Sequence, residues 1–274
     1  MTAAGASDLS PWLSQKSARY SFSELFVVNS HATEHTLCVD GETILVVDNF
    51  YARPHDVKKL ALSLDYNLEL GSRQHRFYPG RRAIISVEPE RAAVGLINRY
   101  ITHSAGYSFI TRHVRRPTIF TKIDTELVDQ ATHLQRVPHI DSDCTLAAVV
   151  YLSGETGDVS GGTNFYRHRA TGLSHLPHVP SPRVSAAIRS RGLNPLKNDD
   201  YSTFVKTLMS DGNEHIRGTG LSTDNETWQV TERIEFRFNR CIMFPARIFH
   251  SPVYGDELSQ RGLRLTQNFF FSAS

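Results

Sequence analysis

The chemistry-bearing residues of this chain converge on one stretch, VPHIDSD at 137–143. His139 and Asp141 stand two apart, and in an extended strand residues i and i+2 project from the same face. An imidazole and a carboxylate would then point together into whatever that face lines. A third group of matching type comes much later, His250 in FPARIFHSP at 244–252. Two histidines and one carboxylate, with positions left open, are the donor set that holds mononuclear Fe(II) in non-haem oxygenases. Three ligands on one face of an octahedron leave the opposite face to substrates and O₂. The tripeptide alone is equally compatible with a solvated His139 and a turn-capping Asp141, since the chain has 13 histidines.

The elements that must position these residues change character along the chain. Residues 1–20 are polar and small and read as a flexible tail with no apolar signal-peptide core. Residues 43–47 predict a short buried strand. Pro54 suits a helix first turn, and Val57, Leu60, Ala61 and Leu64 recur on one face of that helix. A second helix is expected over about 88–104, with Ala93, Ile97, Tyr100 and Ile101 inward and Gly106 ending it. After Pro117 the pattern becomes short β-segments at 118–123, 145–152, 163–166, 234–238, 241–244 and 263–271. Such spacing predicts a sandwich or jelly roll. Gly161 and Gly162 read as a tight turn. A long connection, about 173–233, holds three prolines and one expected helix near 201–209; it reads as a lid. The domain expectation is a single domain over 21–274: helical support at about 40–116 and a β-core at 117–274.

Composition excludes several classes. Lys and Arg total 30 against 28 Asp and Glu, which argues against a dedicated nucleic-acid binder. No apolar run approaches the roughly 18 residues needed to cross a membrane as a helix. Cys38, Cys144 and Cys241 are odd in number and widely spaced, which fits reduced thiols and a cytoplasmic location rather than a disulfide framework or a cysteine zinc site. Basic clusters at 73–76, 81–82 and 112–116 read as solvated edges or, more sharply, as a rim for an anionic substrate. His168 reads as a loop residue or as a group at the site mouth, and His175 and His178 as loop residues.

The order of the motifs carries a resemblance. His139-Ile-Asp141 is followed by VVYLSG (149–154), VSGGTNFY (159–166), His250, and then Gly262-Leu-Arg264-Leu-Thr266. Residues 118–274 thereby resemble the Fe(II)/2-oxoglutarate-dependent dioxygenases, in particular the prolyl-4-hydroxylase-like branch. VVDNFY (46–51) and YPGRR (78–82) resemble the support region of a bacterial group of such proteins of undefined function. The resemblance implies a mainly β (α+β) fold, a double-stranded β-helix or cupin-like jelly roll, with the first ligand pair on its second core strand and the distal histidine on its seventh. It implies His139, Asp141 and His250 as iron ligands and catalytic centre. It places Tyr151, Arg264 and Thr266 on 2-oxoglutarate, with Arg261 as the rival cation. The activity implied is hydroxylation of an unactivated C–H bond, with O₂ consumed and succinate and CO₂ released. The expected substrate is a small metabolite or amino-acid-like molecule, with no nucleic-acid or membrane partner. Alternatives are a peptidyl, prolyl-type hydroxylase and a non-catalytic jelly-roll binding protein with a relic site. Asp141 departs from the halogenases of this superfamily, which carry a small residue there. Phe270 departs from the nucleic-acid demethylases, which carry a second arginine at that place.

Overall fold

The structure, a computed structural model, describes residues 22–66, 80–85, 90–104, 118–124, 137–142, 144–154, 161–212, 221–254 and 263–272. Arg261, Gly106 and the clusters at 73–76 and 112–116 lie outside the described residues, as does the tail expected over 1–20.

Ten strands and five helices are described. The strands are β1 (Thr33–Val39), β2 (Glu42–Asp48), β3 (Arg81–Ile85), β4 (Thr118–Ile123), β5 (Leu146–Tyr151), β6 (Gly161–His168), β7 (Trp228–Glu235), β8 (Cys241–Pro245), β9 (His250–Tyr254) and β10 (Arg264–Phe271). The helices are α1 (Phe22–Leu25), α2 (Pro54–Ser63), α3 (Glu90–His103), α4 (Pro182–Arg189) and α5 (Asn198–Ser210). The strands form a seven-stranded sheet, ordered β1-β2-β8-β5-β10-β4-β3, and a three-stranded sheet, ordered β7-β6-β9. Every pairing is antiparallel. The protein is thus mainly β in the α+β class. Among the described residues no helix is long and apolar enough to cross a membrane.

The period-2 alternation of the central strands sorts residues into two cores. In β5, Leu146, Ala148 and Val150 face α2 and α3, while Ala147 and Tyr151 face the small sheet. In β8, Cys241 and Met243 face the helices, and Ile242 and Phe244 the small sheet. A sheet covered on both faces explains why these strands read as continuous apolar runs rather than alternating ones. Each fully buried Leu, Ile or Phe contributes roughly 1.5–3 kcal/mol through removal from water. The helix expected from Pro54 buries Val57, Leu60 and Ala61 as its spacing demands. The β1–β2 hairpin turns through Asp40 and Gly41, at φ 50° and 87°. Both values suit a two-residue type I′ turn, where glycine carries no steric penalty.

The segment expected as a lid is ordered differently. Its helices α4 and α5 pack Val184, Ile188, Phe204 and Leu208 against Tyr166, Trp228 and Phe249. Those three residues lie on the face of the small sheet opposite to Phe165 and His250, because neighbours alternate along β6 and β9. Val137 and Ile140 join the same cluster. The described helices therefore buttress the back of the strands that carry the candidate ligands; residues 213–220 lie outside the described residues. His168, expected as a loop or mouth residue, is fully buried in β6 on this rear face, against the Trp228 ring at 5.0 Å and hydrogen-bonded to Asp211 at 3.0 Å.

Candidate metal centre

His139 and His250 sit opposite each other in a single antiparallel bridge. The His139 N–H donates to the His250 carbonyl, and the His250 N–H to the His139 carbonyl, each at 2.9 Å. Residues 139–141 were expected to form a strand; only this bridge is present, yet it is enough to fix the register. The Asp141 N–H donates to the Ala246 carbonyl at 2.8 Å, which ties the carboxylate to the same cluster. One ligand atom from each of His139, Asp141 and His250 lies within 4.8 Å of the others, so this buried group could hold a metal ion.

The orientation of the rings is set by the backbone. His250 Nδ1 lies 2.9 Å from the Ile248 carbonyl, and His139 Nδ1 lies 3.2 Å from the Val137 carbonyl. A carbonyl only accepts, so each Nδ1 carries a proton and each ring turns its Nε2 into the site. His250 Nε2 faces Asp141 Oδ2 at 3.5 Å. A proton or a metal cation between the two atoms makes that contact favourable. The His139 pKa is lowered to about 4, by burial first and then by the charge of His250. Burial by itself would raise the Asp141 pKa, but contact with His250 and the charges of His250, His139 and Arg82 hold it below the ordinary carboxylate range. At neutral pH the cluster offers a neutral His139 and an ionised Asp141, the forms a divalent metal takes. Phe165 and Phe244 wall it, their rings 6.5 Å and 4.8 Å from the His250 ring.

The second group of expected residues lies between the two sheets. Thr266 pairs directly with Tyr151 across β10 and β5, so the two share a face, and Arg264 is two residues along on that same face. Arg264 is 5% exposed. One guanidinium nitrogen donates to the Gly162 carbonyl at 3.0 Å and, at a long 3.5 Å, to that of Val253. Its guanidinium lies 5.0 Å from the Phe236 ring centre, 5.4 Å from Tyr151 and 6.0 Å from Tyr254. Among the described residues no carboxylate pairs with it, and its Nε has no hydrogen-bond partner. Thr266 Oγ1 is likewise buried without a partner. The Tyr151 hydroxyl lies 2.8 Å from Thr163 Oγ1, and burial, only partly offset by Arg264, raises its pKa.

Gly161 and Gly162, expected as a turn, lie inside β6. At φ 136° Gly162 adopts a conformation that L side chains rarely take, and a Cβ there would come 2.0 Å from the Ile234 carbonyl oxygen. The Gly162 carbonyl is the one that accepts from Arg264 at 3.0 Å. Tyr254 and Phe236 are site residues that sequence reasoning missed. Tyr254 was findable, since it falls at an even spacing from His250 on one strand; Phe236 follows β7 and had no such signal.

Residues 29–203, more than half of the chain, match a family described as "Family of unknown function (DUF6445)". The match includes His139 and Asp141 and stops short of His250 and Arg264. No match is found among curated proteins.

Proposed function

For this chain, which belongs to the DUF6445 family of unknown function, we propose an Fe(II)- and 2-oxoglutarate-dependent oxygenase that hydroxylates a small metabolite or amino-acid-like substrate. One observation carries the reading. A buried His-Asp-His cluster shares the space between two sheets with a buried arginine that has no carboxylate partner among the described residues. A buried unpaired cation is costly unless a ligand neutralises it. Arginine matches a carboxylate through two parallel charge-assisted hydrogen bonds. Val253, whose carbonyl faces Arg264, is three residues along β9 from His250, or about 10 Å at strand rise. A five-carbon dicarboxylate has a matching reach.

The strand order supports the finer fold reading, a double-stranded β-helix. Counted from β4 among the described segments, the His139 bridge is the second and β9, which begins at His250, is the seventh. Among the described segments from β4 to β10, the chain alternates between the sheets except that β6 and β7, joined through α4 and α5, pair within the small sheet. Both ligand positions agree with the resemblance.

When bound, the iron would supply the reaction of O₂ with 2-oxoglutarate that yields succinate, CO₂ and an oxidant for a C–H bond. The residues do the rest. His139 and His250 present Nε2, and Asp141 supplies a carboxylate that is ionised at neutral pH. Arg264 and the free hydroxyl of Thr266 hold the far carboxylate, with Tyr151 stacked beside the guanidinium. Phe165 and Phe244 exclude water. The test is metal content and succinate release from protein reconstituted anaerobically with Fe(II), then given 2-oxoglutarate and air, for wild type and Asp141→Ala. Loss of a ligand should weaken iron by more than the about 10- to 100-fold that a mere supporting residue costs. Equal iron and equal succinate in both proteins would reject the centre, and iron retention without succinate would favour the relic binding protein.

A further inference from the structure

The inner face of the large sheet is divided. Its β2-β8-β5 half is apolar, with Ile44, Val46, Ala147, Ile242 and Phe244 packed against the small sheet. Its β10-β4-β3 half carries a run of polar residues beside apolar ones such as Ile123 and Phe270. Thr266 pairs with Thr121, and Thr121 with Arg82, so Tyr151, Thr266, Thr121 and Arg82 form one row across four strands, all on the inner face. The neighbours of Arg82 confirm the side: Ala83 and Ile85 lie in the helix-covered core on the opposite face. Arg264 stands in the same half, deep between the sheets. Arg82 stands on β3, the edge strand, half-buried at the rim. Its charge lies within electrostatic reach of His139 and Asp141.

If Arg264 serves the cosubstrate, as the proposed function has it, the same chamber holds a second cation two strands away, on β3. The geometry points to Arg82 as the residue that binds substrate: it takes the carboxylate of a small carboxylic acid and so fixes which C–H faces the metal centre. The row suits one carboxylate. Arginine offers a planar fork. Thr121, fully buried, accepts from Asn268 Nδ2 at 2.7 Å, which leaves its own O–H to donate towards an anion. This inference deepens the proposed function and rests on it.

The test is isothermal titration calorimetry, without oxygen, on protein loaded with Fe(II) and 2-oxoglutarate. The probes are the twenty amino acids and acetate, propionate, butyrate and benzoate, each set beside its primary amide. Metal content and 2-oxoglutarate affinity are measured on every protein. At least one acid should bind wild type in preference to its amide. Arg82→Gln should weaken that acid about 10- to 100-fold, the range for losing a hydrogen bond to a charged group. Arg82→Lys should fall between, since it keeps the charge and loses the fork. Arg81→Gln makes the same charge change on the same strand but on the other face, and should bind as wild type does. No acid preferred over its amide, or equal weakening by Arg81→Gln and Arg82→Gln, would overturn the assignment. A wild type that binds an acid through Arg82 yet takes up no iron or 2-oxoglutarate would overturn the proposed function and keep this site.

Discussion

Replacing Arg264 by methionine separates a ligand-binding arginine from a structural one. In the ligand-free protein the buried guanidinium has lost its water, which costs several kcal/mol for an ion. One good hydrogen bond to Gly162, a long one to Val253 and three aromatic faces at 5.0–6.0 Å act against that cost. At about 1.5–3 kcal/mol for the charged hydrogen bond and about 0.5–1 kcal/mol per ring, they roughly offset it. The unpartnered Nε then adds about 1–3 kcal/mol against the wild type. Arg264→Met should therefore leave the ligand-free protein equally stable or up to about 2 kcal/mol more stable, a rise of about 0–6 °C in Tm. A structural arginine would behave oppositely, since breaking a satisfied buried ion network costs about 3–5 kcal/mol. The ligand response should invert. At a hundredfold excess over its Kd, 2-oxoglutarate should stabilise iron-loaded wild type by about 2.7 kcal/mol and the variant by close to nothing. Anaerobic scanning calorimetry with and without 2-oxoglutarate reads both quantities. A ligand-free variant several degrees less stable than wild type, with its response to 2-oxoglutarate intact, would refute the reasoning.

Two further outcomes follow from the packing. Asp48 makes a two-pronged contact with buried Arg240, at 2.7 and 3.0 Å. Burial would raise the Asp48 pKa, but the hydrogen bonds and charge of Arg240 hold it lowered. Its stabilising contribution is then present above the unfolded-state value of about 3.9 and lost as pH falls through the lower folded value. Acid titration of stability should show that loss in wild type and a flatter profile in Asp48→Asn, which should already be weaker by about 3 kcal/mol at pH 7; parallel profiles would exclude the pair as the cause. Leu208 is fully buried where α5 meets the rear of the small sheet. Leu208→Ala should cost about 2–5 kcal/mol in urea unfolding, whereas a loosely attached lid would lose little.

The grouping of the candidate ligands was legible in part because it depends on short-range geometry. His139 and Asp141 needed only a two-residue spacing; Arg264 and Thr266 came from the resemblance, and the alternation within LRLTQNFFF put both on one face. Helix α2 was legible from Pro54 and its apolar stripe, and β4 from its flanking breakers. What escaped notice lacked a local signal or carried a contrary one. β1 is largely exposed and mixed in composition, so no buried face marks it. β9 contains Pro252, which argues against a strand. The two glycines of β6 read as a turn because sequence does not reveal that Ile234 approaches Gly162. α4 did carry a start signal, since Ser181 caps Val184 N–H and Pro182 follows, but the surrounding prolines and serines obscured it. The register row that joins Arg82 to Thr266 spans residues nearly two hundred apart, and only the folded sheet brings them together.

The central claim is that His139, Asp141 and His250 hold an iron that turns over 2-oxoglutarate with O₂. Mass balance gives the most direct measurement. Conversion of 2-oxoglutarate to succinate and CO₂ by O₂ must place one oxygen atom of the gas in the new succinate carboxylate. Iron-loaded wild type incubated with 2-oxoglutarate under ¹⁸O₂ should yield succinate that carries one heavy oxygen, with no such product from Asp141→Ala. Iron-loaded wild type that releases no succinate, or only unlabelled succinate, would contradict the account.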